Sequence, residues 1–191
     1  MLDPIEVTNF WLNEVGPKGW YVADSAVDTR IRERFLTTWQ TARDGGLADW
    51  RLRPDTVLSY LILTDQFPRN MFRAAGDAFA TDKIARSAAK KAIDKKWDLK
   101  VAEPQRQFFY LPLMHSECLA DQERCLCLLK TRMPETGDAQ LLHAKAHREV
   151  IRRFGRFPYR NAALERRDTE PEMSFLQQGG YRVAVQAVQA L

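Results

Sequence analysis

Apolar residues recur along this chain at spacings of three and four and nowhere in convincing alternation, which predicts helices and little or no sheet. Asp3-Pro4 reads as an N-cap followed by proline at the first helical position, with Gly16 as the stop. Ile31, Phe35, Leu36 and Trp39 mark a helix from about Ser25 to Arg43, ended by Asp44-Gly45-Gly46. Pro54 opens a helix over Val57–Thr64, and Thr81 is placed to cap a lysine-rich helix reaching about Lys96. Glu103-Pro104 opens a short aromatic helix that ends near Pro112. Ser116 is placed to cap a helix to about Arg132, and Asp138 another that stops at Gly155. Thr169-Glu170-Pro171-Glu172 has the spacing of a capping box. The connections are short, which favours antiparallel neighbours. The predicted architecture is all-α, a single domain (1–191) of packed antiparallel helical hairpins.

The greasiest stretch, Val57 to Thr64, runs straight into Asp65 and then Gln66-Phe67-Pro68-Arg69-Asn70. Leu58, Leu61 and Ile62 share a helix face with Asp65, so the carboxylate is expected to point into the core or to its edge. A buried carboxylate needs a cation or donors, and Arg69, Asn70 and Arg73 are the local candidates. The pattern recurs as Arg156-Phe157-Pro158-Tyr159-Arg160-Asn161. In each copy the proline is expected to force the chain out of its helix, letting Arg and Asn turn back. Two such corners are expected to face one shared site.

Only three histidines occur, His115, His143 and His147. His143 and His147 stand four apart on a stripe continued by Ile151 and Phe154, so both are expected to face inward. Three readings of the polar residues stand open. Asp65, His115, Glu117, His143 and His147 could hold a metal, although no H-E-x-x-H is present and the carboxylates come from other helices. Arg69, Arg73, Arg148 and Arg160 could grip a small anion, with Asp65, Glu117 and His147 orienting them or transferring protons. The plain alternative is a structural network that locks helix ends and satisfies the carbonyls freed by Pro68 and Pro158.

Composition narrows the class. Hydrophobic residues make up 45% and charged residues 28% of 191, the balance of a soluble globular protein. The N-terminus lacks the features of a signal peptide and no apolar run is long enough to span a membrane, so the expected location is cytoplasmic with no membrane partner. The net charge of +4 concentrates in Lys83 to Lys100 and Lys145 to Arg167. Asp94 and Asp98 interrupt the first of these and aromatics do not interleave with the lysines, so solvated helix faces are expected rather than a nucleic-acid surface. Cys118, Cys125 and Cys127 lack C-x-x-C spacing and are expected to be reduced, buried small hydrophobes. The five tryptophans are expected in the core or lining a groove rather than around a cofactor. No Walker loop, Rossmann fingerprint or nucleophile elbow is present.

“YLILTDQFPRNMFR” (60–73), “AFATD” (78–82), “FFYLPLMHSE” (108–117) and “FGRFPYRNAAL” (154–164) together resemble the bacterial family known as domain of unknown function 924. The resemblance covers essentially the whole chain and implies a helical fold like that of tetratricopeptide-repeat proteins, though no 34-residue period is legible here. It implies no established activity and no cofactor. The family's motif residues fall on Asp65, Gln66, Arg69, Asn70, Arg73, His115, Ser116, Glu117, His147, Arg156, Arg160 and Asn161, and leave out His143. Where the family often has histidine after the second Phe-Pro, this chain has Tyr159, and its usual Gly-Arg appears as Glu165-Arg166.

These residues lead to an expected pocket of Asp65, Arg69, Asn70, Arg73, His115, Glu117, His147, Arg160 and Asn161, binding a small anionic molecule or an acidic peptide. The alternative is a hydrolase-like enzyme using His147 with Asp65 or Glu117, possible metal ligands being His115, His143 and His147. A third reading is an interaction scaffold for a protein partner.

Overall fold

A computed structural model describes residues 2–190, which are helical with no strand among them. The chain divides into two compact units, Met1–Pro112 and Leu113–Leu191.

In the first unit, α1 (Pro4–Thr8) starts where expected: the Asp3 carboxylate accepts the Ile5 N–H at 2.9 Å. It widens into a π-helical segment, Asn9–Val15, that stops at Gly16 with φ 67°, a conformation that favours glycine. The helix α2 (Ser25–Arg43) is capped by Asp24 and buries Ile31, Phe35 and Trp39. The run α3 (Val57–Leu61) is buried at every residue, as a helix apolar on all sides must be. Around these helices Phe10, Phe35 and Phe67 pack with ring centroids 4.9–6.1 Å apart, and Trp11 stands 5.7 Å from Phe67.

The spacing predicts a break at Phe67-Pro68, and the structure has none. The π turn Ile62–Gln66 joins α3 directly to α4 (Phe67–Met71). The missing proline N–H is replaced from elsewhere: the Thr64 carbonyl, four residues earlier, accepts the Thr81 hydroxyl at 2.6 Å. Thr81 in turn accepts the Trp39 indole N–H at 3.1 Å. This diverts Thr81 from the capping role its position suggests, and α5 (Asp82–Asp94) begins without a side-chain cap. That helix buries Ala85, Ala88, Ala89, Ala92 and Ile93 and leaves Lys83 and Lys91 exposed, the expected solvated face.

In the second unit, α6 (Leu119–Arg132) starts after an extended Cys118 rather than at Ser116. Ser116 donates instead to Asp121 at 2.8 Å, and the Gln122 amide donates to the carbonyls of Met114 and Ser116. The helix α7 (Asp138–Phe154) ends at Gly155 with φ 70°. The capping box before α8 (Glu170–Gln177) forms as expected, with Glu172 accepting the Thr169 N–H at 2.7 Å. The chain closes with α9 (Tyr181–Gln189). Ala146, Val150, Ile151, Phe157, Phe175 and Ala184 form the buried core joining α7, α8 and α9. Cys125 is buried as expected, but Cys118 and Cys127 are exposed, since one precedes α6 and the other lies on its outer face. No helix among the described residues is long and apolar enough to cross a membrane.

The Thr81 hydroxyl serves two buried partners at once. Thr81→Val is expected to cost about 2–4 kcal/mol by leaving both without a hydrogen bond. Urea melts should show a lower midpoint with unchanged slope; an unaltered midpoint would mean that the Thr64 carbonyl finds another donor.

Candidate functional site

The first Phe-Pro corner is built on the π turn. Asp65 is 3% exposed, as its helix face requires, and Arg69 Nη1 lies 3.5 Å from its carboxylate and 2.6 Å from its carbonyl. The same guanidinium donates to both oxygens of Asp82 at 2.8 and 2.9 Å, a bidentate pairing. Arg73 pairs in the same way with Asp28, which also accepts the Asn70 amide at 2.8 Å. Gln66 donates to Asn70 at 3.0 Å. A cavity of about 200 Å³ opens beside these residues, lined by Tyr21, Gln66, Arg69, Asn70 and Arg73.

The second corner does leave its helix. Phe157 is extended, with φ −92° and ψ 104°, ahead of Pro158 and the short turn Pro158–Arg160. Its buried peptide groups, outside the helix, are clamped. The Phe157 N–H donates to Glu117 at 2.8 Å, and its carbonyl accepts Arg166 at 3.2 Å. Arg166 closes the clamp with bidentate bonds to Glu117 at 2.7 and 2.9 Å. Burial disfavours the Glu117 charge, but these bonds and the charges of Arg166 and Arg160 hold its pKa below the ordinary range. Arg156 pairs with Glu172 at 2.6 and 2.7 Å, and Asn161 donates to Asp168 at 2.6 Å. Arg160 is buried, donates to the His115 carbonyl at 3.0 Å and lies 4.3 Å over the Phe157 ring. Glu165 adopts φ 53°, in the left-handed region.

The histidines occupy the same unit. His147 Nδ1 lies 2.8 Å from the His143 carbonyl, which can only accept, so Nδ1 carries the proton. The Tyr181 hydroxyl lies 3.2 Å from that Nδ1 and 2.7 Å from His143 Nδ1, linking both rings. His147 Nε2 has no hydrogen-bond partner among the described residues. Burial pushes the His147 pKa down to about 3, opposed by the bond to the His143 carbonyl and aided by the charges of His115 and Arg160. His115 and His147 have ring centroids 6.4 Å apart. Tyr159 packs on Phe157 and Tyr181.

Asp65, Arg69, Asn70 and Arg73 thus gather in the first unit, and His115, Glu117, His143, His147, Arg160 and Asn161 in the second. No group of three His, Cys, Asp or Glu side chains among the described residues is placed to hold a metal. The carboxylates Asp28, Asp82, Asp168 and Glu172, and Tyr181, are partners that local spacing does not reveal. Asp82 ends the segment “AFATD” and Glu172 closes the Thr169–Glu172 capping box, but neither motif points to the arginine that each carboxylate meets.

A family model described as “Bacterial protein of unknown function (DUF924)” matches residues 7–180. A solved structure of a protein of unknown function from Agrobacterium tumefaciens is similar to this chain, with 38% sequence identity and a TM-score of 0.85. The match covers 92% of this chain and 97% of that one. No curated protein matches the sequence.

Two outcomes follow from the charges. Arg156 holds Glu172 down to about 2 from an ordinary 4.5, so its stabilisation is complete above about 4.5 and lost as pH falls toward 2. The stability gap between wild type and Glu172→Gln in urea melts should therefore narrow across that window; a gap independent of pH would contradict the pairing. Folded His147 excludes the proton that an unfolded histidine takes up below about 6.5, so it too costs stability as pH falls from there toward 3. Nitrogen NMR should find His147 neutral at pH 5 with the proton on Nδ1, whereas titration near 6.5 would show that it is not confined in this way.

Proposed function

The chain belongs to the DUF924 family of bacterial proteins, and we propose that its second unit binds a small anionic molecule through His147 and Arg160. The observation that carries this reading is the state of His147. Its Nδ1–H is anchored on a backbone carbonyl, and its Nε2 is left as an acceptor without a partner among the described residues. Arg160 lies close enough for its charge to lower the His147 pKa further. A carboxylate or phosphate monoester beside Arg160, with a hydroxyl or N–H donating to Nε2, matches that arrangement. Arg69, Arg73, Arg156 and Arg166 each already face a carboxylate, so they are read as supports for the two corners rather than as ligand arms.

An acid–base enzyme is the second reading, favoured by the same unbonded Nε2. Magnitude argues against it in the ligand-free protein. A base with a pKa of about 3 is a weak proton acceptor at neutral pH. Glu117, the nearest carboxylate candidate in sequence, is held ionised by Arg166 and the Phe157 N–H. Catalysis would require a bound anion to raise the His147 pKa toward 7.

The test is a thermal-shift screen of small carboxylates and phosphates on wild type, His147→Asn and His147→Gln. Asparagine can keep a donor toward the His143 carbonyl but lacks Nε2, while glutamine extends a polar group toward the Nε2 position. The expected result is a ligand that raises the wild-type Tm, has no effect on His147→Asn and a partial effect on His147→Gln. A shift fully retained by folded His147→Asn, or no shift with any anion, would overturn the reading.

A further inference from the structure

A second feature of the Leu113–Leu191 unit lies on the outer surface of the α6–α7 hairpin. Glu123, Leu126, Cys127 and Lys130 on α6 face Leu141, Lys145 and Arg148 on α7 across a groove of about 460 Å³. The spacings matter. Residues 123, 126, 127 and 130 fall at i, i+3, i+4 and i+7, and 141, 145 and 148 at i, i+4 and i+7, so each helix contributes one stripe two turns long. The ion pair Glu123–Arg148 sets the antiparallel register at one end, which leaves Lys130 toward the other. The two stripes line the groove for about 10 Å.

Its chemistry is sided. Leu126 and Leu141 give it apolar surface, while Lys130, Lys145 and Arg148 set three cations against the single carboxylate of Glu123. Lys130 and Lys145 are exposed and have no ion-pair partner among the described residues. Arg148 Nε is buried without a hydrogen bond, and Nη1 reaches Glu123 only at 3.4 Å, longer than an ordinary charge-assisted bond. We propose that this groove docks an acidic amphipathic helix of a protein partner, its apolar side chains against Leu126 and Leu141 and its carboxylates on Lys130, Lys145 and Arg148. The match is helix-in-groove recognition with two-turn anchor spacing. Charge complementarity selects an acidic partner over a basic one. The leucines on both walls favour an amphipathic helix over a small anion, and His147 is not among the residues that line this surface.

The experiment is fluorescence anisotropy at low salt with a labelled synthetic helix of about four turns, carrying leucine at i, i+3 and i+7 and glutamate on both flanks. Saturable binding is expected, weakened about tenfold or more by Lys145→Glu and by Lys130→Glu. Both positions are exposed, so the Tm should not change. His147→Asn should bind the peptide as wild type does, which separates this surface from the anion site. A matching peptide with lysine flanks, or with serine for leucine, should not bind. Equal binding by wild type and Lys145→Glu, undiminished binding of the serine peptide, or displacement by citrate as effective as by unlabelled peptide would overturn the proposal.

Discussion

A proline has no N–H to give, and Pro68 and Pro158 each remove a donor at a buried junction. The chain answers twice, by different means. At Pro68 the backbone stays helical through a π turn, and Thr81 supplies the Thr64 carbonyl from another helix. Ahead of Pro158 the helix has already ended at Gly155, and the peptide groups of the extended Phe157 pass to Glu117 and Arg166. A buried polar group left without a partner costs about 1–3 kcal/mol. Each answer recruits further groups: Trp39 behind Thr81, and the Arg156–Glu172 pair and Asn161–Asp168 bond beside the second clamp. Much of the polar network in both units supports these two junctions.

That division of labour separates supporting charges from usable ones. Arg69, Arg73, Arg156 and Arg166 are bidentate partners of carboxylates, a geometry that holds a loop or helix end in one place. His147 is held differently, oriented through one nitrogen by a backbone carbonyl and a tyrosine network. Burial keeps it neutral. Fixing one ring nitrogen is what gives the other a defined direction and tautomer. Rigid corners and an oriented imidazole are the arrangement on which the proposed anion site rests.

The helices were legible because apolar spacing and caps are local: Asp3 and the Thr169–Glu172 box act within four residues. The burial of Asp65 was legible for the same reason, since its face is set by Leu58, Leu61 and Ile62. The partners were not. Arg73 reaches Asp28 across 45 positions and Glu117 reaches Arg166 across 49, and no periodicity links residues so far apart. Competition between roles hid other features. Thr81 and Ser116 look like caps because each precedes a helix, yet each hydroxyl is bonded elsewhere. The echo between the two Phe-Pro segments suggested one geometry for both, whereas the π turn lets only the first remain helical.

The π turn also sets a rule for length in this part of the chain. A π turn carries one residue more than the α-helix it interrupts, and each residue turns the helix by about 100°. Deleting any one residue of Ile62–Gln66 would restore regular α geometry locally. Because the extra residue is taken up within the turn, the helix beyond it would keep the direction that aims Arg69 at Asp82, and Asn70 and Arg73 at Asp28. The turn is therefore the one place in this helix where a residue can be lost without turning the Arg69–Arg73 corner away from its partners.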